Sequence, residues 1–257
     1  MPLNAIITAG GPLPRSLEGH TGVSRKALVQ VGGRLLLHSA VEAARGCEQI
    51  DRVVTVGNRD VEAALAGAAE FVMEGPDLVA NIQRGFDHCG GARADYVVLS
   101  PDLPFITAGI LGRYTAAARD SCELAAPLVS RQDFLGRFPH APNKFARFAG
   151  GLEATMGSCF YFSGPALRAN LPLARDCYRY RRYPHRLAIM LGLPIVLAYL
   201  FRRLSIEALE RRAAQLTGVA VRALPTRDAE LAYDIDDLVS VEYAERLLAG
   251  ELRDSGS

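Results

Sequence analysis

The chain has 257 residues, 49% of them hydrophobic, which is enough to bury the core of one or two domains. Its 29 basic and 28 acidic residues nearly cancel, which excludes the basic excess typical of nucleic-acid-binding proteins, so we expect no nucleic acid partner. Five scattered cysteines without CxxC spacing exclude a disulfide framework and a structural zinc site. The N-terminus lacks the pattern of a secretory signal, so we expect a cytoplasmic protein.

Short apolar runs alternate with helical segments along the first half of the chain. Strands are predicted at Ala5–Thr8, Arg52–Val56, Glu70–Met73, Asp95–Ser100 and Cys122–Val129. Helices are predicted between them at Leu35–Ala44, Val61–Ala69, Leu78–Cys89 and Ala108–Ala118. This alternation is typical of βαβ units and predicts an α/β protein with a mainly parallel sheet.

The second half of the chain has a weaker pattern. The segment from Ser130 to Gly157 is polar, basic and aromatic, and we interpret it as an insertion or lid over the carboxyl edge of the sheet. A strand is predicted at Ser158–Ser163, and helices over most of Pro165–Thr217. Because no repeat or low-complexity linker divides the chain, we expect a single domain over residues 1–257.

A glycine-containing stretch follows the first predicted strand. Gly10 and Gly11 would let the backbone approach phosphate oxygens, and Lys26 would supply a positive charge. Taken alone, the two glycines could equally form a simple turn. The stretch matches neither the GxGxxG fingerprint nor a Walker loop, which argues against a dinucleotide-binding oxidoreductase.

Two acidic motifs are candidates for a metal site. Asp102 follows a buried strand in "SPDLPFIT", where a charge is costly unless it meets a cation, although it could instead cap the next helix. Asp234, Asp236 and Asp237 precede an amphipathic helix, and by themselves they are most simply a helix N-terminus.

Three stretches together resemble the signature blocks of the MobA-like nucleotidyltransferases. They are "AIITAGG" with "SRKALVQVGGRLLLHSAVEAA", then "VVLSPDLPFIT", then "YDIDDLVSVEYAERLL", in the family's order and spanning Leu3 to Leu248. The resemblance implies the nucleotide-diphospho-sugar transferase fold, a Rossmann-like three-layer α/β/α arrangement with a mainly parallel mixed sheet and an elaborated helical second half. It also implies Mg²⁺-dependent transfer of a nucleoside monophosphate from an NTP to an acceptor, with release of pyrophosphate.

The resemblance also implies roles for individual residues. The nucleotide-binding residues would be Ala9, Gly10, Gly11, Lys26, Asn81 and Asp102, with Arg15 or Arg25 as the phosphate-binding arginine. Lys26, Asp102 and Asp236 would be catalytic, and Asp102 and Asp236 would bind Mg²⁺ with Asp234 as a neighbour. GTP or CTP is the favoured nucleotide, and UTP stays open.

One block departs from the family pattern. Members of the family typically have the motif G-x-G-x-R-M-G before the lysine, whereas this chain has the longer "GGPLPRSLEGHTGVSRK". This leaves a second hypothesis open, a catalytically silent nucleotide or nucleotide-sugar binding protein. The retention of Lys26, Asp102 and Asp236 together favours the enzyme.

In this family the insertion, here Arg131 to Ser158, sets the choice of acceptor. The resemblance therefore assigns the N-terminal half to the nucleotide and about residues 130–217 to the acceptor, with Lys144, Arg147, Gly157 and Ser158 as acceptor-binding residues. Cations among aromatic residues suit an anionic, phosphorylated small molecule. A solvated basic loop is the alternative.

An apolar run from Leu187 to Phe201 lies between groups of arginines. It is shorter than a membrane-spanning helix and contains Pro194, so we expect it not to cross a membrane. Two interpretations stay open: a helix pair buried in the fold or in a homodimer interface, and peripheral docking on an anionic membrane.

Overall fold

The computed structural model describes residues 1–17, 22–181 and 183–251. Apolar β-branched runs form the strands. Their bounds are β1 Leu3–Thr8, β2 Gln30–Val31, β3 Arg34–Leu35, β4 Ile50–Gly57, β5 Glu70–Met73, β6 Asp95–Leu99, β7 Leu124–Ser130, β8 Ala146–Arg147, β9 Glu153–Met156, β10 Cys159–Phe162 and β11 Val221–Thr226.

Helices occupy most of the segments between the strands. Their bounds are α1 Leu36–Arg45, α2 Arg59–Leu65, α3 Leu78–His88, α4 Ala108–Ser121, α5 Arg131–Arg137, α6 Gly164–Tyr180, α7 Pro184–Leu191, α8 Leu193–Leu200, α9 Ile206–Thr217 and α10 Leu238–Leu248. Most of the predicted elements are therefore confirmed, with shifts at their ends. The predicted helix Val61–Ala69 already ends at Leu65, because Ala66 adopts a left-handed conformation at φ 46°.

One sheet contains all the described strands except the short β2–β3 hairpin. Its order is β5-β4-β1-β6-β10-β7-β9-β8, and β11 also pairs with β7. The strands β5, β4, β1 and β6 are mutually parallel, as are β7 and β11, whereas β10 runs antiparallel between β6 and β7. The prediction of a mainly parallel mixed sheet is confirmed.

Helices cover both faces of this sheet. On β1, Ala5 and Ile7 pack into the same cluster as residues of α1 and α4, whereas Ile6 packs into the cluster that contains residues of α3 and α6. Successive side chains of a strand point to opposite faces, so an uninterrupted apolar strand is what a sheet buried on both sides requires. The chain thus has the predicted three-layer α/β/α architecture.

The segment from Ser130 to Gly157, predicted as an insertion or lid, contains regular structure. It forms α5 and then the strands β8 and β9, and β9 joins the sheet beside β7. The sequence analysis also missed β11, an edge strand of the described sheet, because its proline and arginine weaken the apolar pattern expected of a strand. Proline is tolerated in edge strands because its missing N–H need not bond there.

The apolar run ending at Phe201 folds into two short helices, α7 and α8, which turn at Gly192. Among the described helices, none combines the length and apolar character needed to traverse a bilayer. α8 has no buried residue, so the interpretation that this segment is buried in the fold is wrong.

Candidate active site

A cavity of about 440 Å³ opens where the parallel strands end. Because β1 and β6 are adjacent and parallel, the residues that follow them come together at this edge. The strand order also reverses here, since β4 and β5 extend the sheet on one side of β1 and β6 lies on the other. Ligands of open parallel sheets bind at such a reversal. Among the predicted nucleotide-binding residues, the cavity is lined by Ala9, Gly10, Gly11, Arg25, Lys26, Asn81 and Asp102.

The glycine-containing loop forms one wall of the cavity. A side chain on Gly10 would collide with Glu74 and would lie 2.7 Å from Nδ2 of Asn81, so a larger residue there would have to displace these two side chains. A backbone bridge between Pro12 and Arg25 brings the two ends of the loop together. Residues 18–21 of this loop lie outside the described residues. Arg15 is exposed and does not line the cavity.

Three aspartates meet beside the cavity. One carboxylate oxygen from each of Asp102, Asp234 and Asp236 lies within 4.8 Å of the others, and Asp102 lines the cavity. Asp102 is buried, and its Oδ1 has no hydrogen-bond partner among the described residues. The pKa of Asp234 is raised to about 7, chiefly by burial and then by the carboxylates of Asp102 and Asp236, with Lys26 opposing them. Asp234 was predicted only as a neighbour of the metal ligands, but it lies within the cluster.

Lys26 is the cation that contacts this cluster. Its Nζ forms an ion pair with Asp102 and lies 2.8 Å from Oδ1 of Asp236. Burial disfavours the charged amine, but the two aspartates outweigh burial and hold the pKa of Lys26 above its usual value. The side chain is therefore a fixed positive charge at the boundary between the carboxylates and the cavity.

The N-termini of α4 and α10 show which of the candidate aspartates cap a helix. Thr107, and not Asp102, caps α4 by accepting from the Ile110 N–H. At α10, the side chain of Asp237 accepts from the Ser240 N–H, and Ser240 Oγ accepts from the N–H groups of Asp236 and Asp237. Asp237 thus serves the helix, which leaves Asp234 and Asp236 to face Asp102.

Glu74 is a cavity residue that the sequence analysis missed. It follows β5 directly, and its Oε1 accepts from Nη2 of Arg25 at 2.6 Å. Its Oε2 is buried without a partner, against Gly10. Asn81 Oδ1 accepts from the Gly75 N–H at 2.6 Å, which fixes the amide beside Glu74. A polar residue directly after a predicted strand of a parallel sheet was the available signal.

A second cavity, of about 430 Å³, adjoins the other side of the acidic cluster. Its lining includes Lys144 and Ser158 from the predicted acceptor segment, together with Asp234 and Asp236. The two cavities therefore share the cluster as their common boundary.

Two predicted acceptor residues lie elsewhere. Arg147 does not line the second cavity, and its guanidinium donates to Glu153 at 2.7 Å. Gly157 has a packing role, because a Cβ there would collide with the carbonyl oxygen of Leu231 and lie 2.7 Å from Pro127. The positions of Arg147 and Gly157 could not be predicted from composition alone.

Comparison with solved structures identifies proteins of the same architecture. A hypothetical transferase from Thermus thermophilus is 28% identical, with a TM-score of 0.82 over 94% of this chain and 100% of that chain. A 2-C-methyl-D-erythritol 4-phosphate cytidylyltransferase, also from Thermus thermophilus, is 20% identical, with a TM-score of 0.58 over 97% of this chain and 100% of that chain.

A more distant likeness is to a CMP:2-keto-3-deoxy-manno-octonic acid synthetase complexed with CTP. It is 15% identical, with a TM-score of 0.63 over 98% of this chain and 100% of that chain. At 15% and 20% identity these last two proteins share the fold. A search of curated proteins returned no match.

The model of the MobA-like NTP transferase domain matches residues 5–224, which is most of the chain. The matched region contains the glycine loop, Lys26 and Asp102, and the acidic motif at Asp234 and Asp236 follows it. The chain therefore belongs to the MobA-like NTP transferase family and is an enzyme of the nucleotidyltransferase class.

Proposed function

We propose that this enzyme transfers a nucleoside monophosphate from an NTP to an anionic, phosphorylated small molecule and releases pyrophosphate. The observation that carries the proposal is the acidic cluster of Asp102, Asp234 and Asp236 between two cavities, one lined by the glycine loop and the other by Lys144. Such a boundary is where the bond between donor and acceptor would form.

The cluster fits a divalent cation. Among the described residues, Lys26 pairs with two of the three carboxylates, those of Asp102 and Asp236, and the buried Oδ1 of Asp102 has no partner. Oxygen-only ligands suit Mg²⁺, so we propose that Asp102 and Asp236, with Asp234, hold it. When bound, the ion would neutralise charge that develops on the α-phosphate.

The groups that line the first cavity differ in charge, which suggests how the nucleotide lies. Lys26 and the backbone amide of Gly11 suit phosphates. Glu74 lies against Gly10 and pairs with Arg25 through Oε1 only, so its other oxygen would repel phosphate and this wall of the cavity suits the base. A carboxylate accepts hydrogen bonds but donates none, so it favours an amino-bearing base such as guanine or cytosine over uracil.

The chemistry asks mainly for positioning and charge. An acceptor oxygen attacks the α-phosphorus in line, a new O–P bond forms, and the bond from the α-phosphorus to the bridging oxygen breaks. The electron pair of that bond leaves with pyrophosphate, whose charge Lys26 is placed to stabilise. No side-chain nucleophile is needed. NTPs are cytoplasmic metabolites, so we propose that the enzyme works in the cytoplasm, as one domain with nucleotide and acceptor halves.

The proposal that the second half of the chain binds the acceptor rests on Lys144 and its neighbours in the second cavity. Lys144 and Ser158 line the second cavity, and a lysine with a hydroxyl is suited to bind a phosphate group. Asn143 holds this segment by donating to the carbonyl oxygen of Ala232 at 3.2 Å.

The test measures pyrophosphate release from each of the four NTPs in the presence of Mg²⁺, with a pool of phosphorylated metabolites supplied as acceptors. We expect Asp102→Asn to lower the rate by about 100-fold or more, because a buried, oriented charge at the reacting phosphate is lost. Asp120→Asn, at an exposed aspartate of α4, is the matched control and should retain the rate. If no NTP is turned over but calorimetry shows Mg²⁺-dependent nucleotide binding, the silent binding protein replaces the enzyme proposed here.

A further inference from the structure

We propose that α7 and α8 dock the enzyme on an anionic membrane surface, lying in the lipid interface without crossing it. The outward face of these helices, here called the apolar face, exposes large hydrophobic side chains: Ile189 is 77% exposed, Leu193 66%, Leu200 67% and Phe201 70%. Four such side chains within thirteen residues form a patch of the kind that marks an interaction surface.

The apolar face is additional to the packing of α8 against the protein. Ile195 and Ala198, one helical turn apart, pack on the cluster that contains Leu204 and Leu209. The apolar face lies on other positions of the helix, so it is not needed to hold α8 in place. A helix that is apolar on both sides requires a second apolar environment.

The position of the helix pair is fixed by α9. The guanidinium of Arg212 donates to the carbonyl oxygens of Met190 at 2.8 Å and Leu191 at 2.7 Å, at the carboxyl end of α7. These bonds satisfy carbonyls that a helix terminus leaves unpaired. The apolar face is therefore held out from the surface as a defined element.

Positive charge flanks the apolar face along the chain. Residues 177–206 contain six arginines and no aspartate or glutamate. Five of them are described, all exposed and none in an ion pair with a described residue: Arg179, Arg181, Arg186, Arg202 and Arg203. Arg181 also lines the first cavity, so the other four are the ones available to a membrane. Tyr183 and Tyr199, each about half exposed, lie among them. Tyrosine and arginine beside exposed aliphatic residues is the pattern of helices that lie at a lipid interface.

The same charges argue against a second copy of this chain as the partner. A symmetric dimer through the apolar face would bring like-charged arginines together, with no acid from this segment to pair with them. Anionic lipid headgroups provide the missing negative charge, and each arginine near the surface adds to the attraction. The observations therefore favour the bilayer.

The test is co-sedimentation of the full chain with vesicles made of equal parts phosphatidylcholine and phosphatidylglycerol, compared with phosphatidylcholine alone. We expect binding to the anionic vesicles that high salt weakens. Leu200→Ser with Phe201→Ser, and separately Arg202→Glu with Arg203→Glu, should each lower binding by about tenfold or more. Because these side chains are exposed, the variants should fold, and their unfolding temperatures check this.

Matched controls change the same chemistry elsewhere on the surface. Leu248→Ser removes a half-exposed leucine, and Arg45→Glu with Arg93→Glu reverses two exposed arginines away from α7 and α8. Both should bind as the parent does. Absence of binding to anionic vesicles, or equal loss in the controls, would overturn the proposal. A dimer that Leu200→Ser with Phe201→Ser dissociates, without vesicle binding, would assign the apolar face to a second copy instead. None of these outcomes depends on turnover.

Discussion

At the scale of single residues, the nucleotide cavity depends on the fit between Gly10 and Glu74. Glycine at position 10 makes room for a carboxylate that is half paired: Oε1 is bonded to Arg25, and Oε2 is buried without a partner among the described residues. Arg25, one of two arginines considered for phosphate binding, is thereby held against Glu74 at the wall of the cavity.

We expect Glu74→Gln to change the choice of nucleotide. An amide both donates and accepts, so it would bond the O4 of uracil, which the carboxylate repels. The ratio of kcat/KM for UTP to that for the preferred amino-bearing NTP should rise about tenfold or more. Steady-state pyrophosphate release measures it, and Glu242→Gln, at an exposed position of α10, is the control. An unchanged ranking of the NTPs would show that Glu74 does not contact the base.

At the scale of elements, the start of α10 connects a helix cap to the acidic cluster. Ser240 is buried, and its hydroxyl accepts from the N–H groups of Asp236 and Asp237, at 3.1 Å each. It also donates to the carbonyl oxygen of Asp237 at 2.7 Å. One side chain therefore orders the helix terminus and the backbone that presents Asp236.

We expect Ser240→Ala to weaken both the helix terminus and the positioning of Asp236. Loss of the capping bonds should lower the free energy of unfolding by about 1 kcal/mol, and loosening of Asp236 should weaken Mg²⁺ binding by about 10-fold to 100-fold. Asn58→Ala is the control, since Asn58 caps α2 by accepting from the Val61 N–H at 3.1 Å and lies outside the acidic cluster. Denaturation and Mg²⁺ titration calorimetry separate the two effects. If both variants bind Mg²⁺ with equal affinity, Ser240 does not position the Mg²⁺ ligands.

At the scale of the whole molecule, the fold brings together groups that are far apart in the chain. Lys26 and Asp236 are separated by 210 positions, yet their side chains lie 2.8 Å apart. The N–H of Ile235 donates to the carbonyl oxygen of Asp102 at 3.1 Å, so the acidic motif is tied directly to the end of β6. The site therefore exists only when the sheet and α10 are both in place.

An ion pair at the edge of the sheet makes the stability of the molecule depend on pH. The hydrogen bond from Arg52 chiefly lowers the pKa of Glu70 from 4.5 to about 2; burial opposes it, and the hydrogen bond from His88 adds to the lowering. A lowered pKa stabilises the fold above pH 4.5, and this contribution is lost as the pH falls toward 2. We expect Glu70→Gln to cost up to about 1 kcal/mol at neutral pH, because the pair is partly exposed.

Denaturant unfolding at several pH values tests this expectation. The difference between the parent and Glu70→Gln should hold from neutral pH to about pH 4.5 and then shrink as the pH falls toward 2. Glu48→Gln, at an exposed glutamate without an ion pair to a described residue, should cost little at any pH. A difference that is constant with pH would mean that Glu70 contributes through packing and not through its charge.

The sequence by itself determined the parallel half of the sheet and the residues at its strand ends. β1, β4, β5 and β6 are short apolar runs, and local periodicity is enough to identify them. Asp102 and Gly10 were identifiable because each directly follows such a run. The family motifs assigned roles to Lys26 and Asp236, and the two residues line the first and the second cavity respectively.

Only the tertiary structure shows which members of each motif line the cavities or the acidic cluster. It separated Asp234 from the capping Asp237, chose Arg25 over Arg15 for the cavity, and assigned Glu74 to it. It also placed Gly157 in a packing contact, added β11 to the sheet, and left the apolar face of α8 uncovered. These outcomes depend on contacts between segments far apart in the chain. Hydrophobic periodicity records which residues are buried, but not which distant residues they meet.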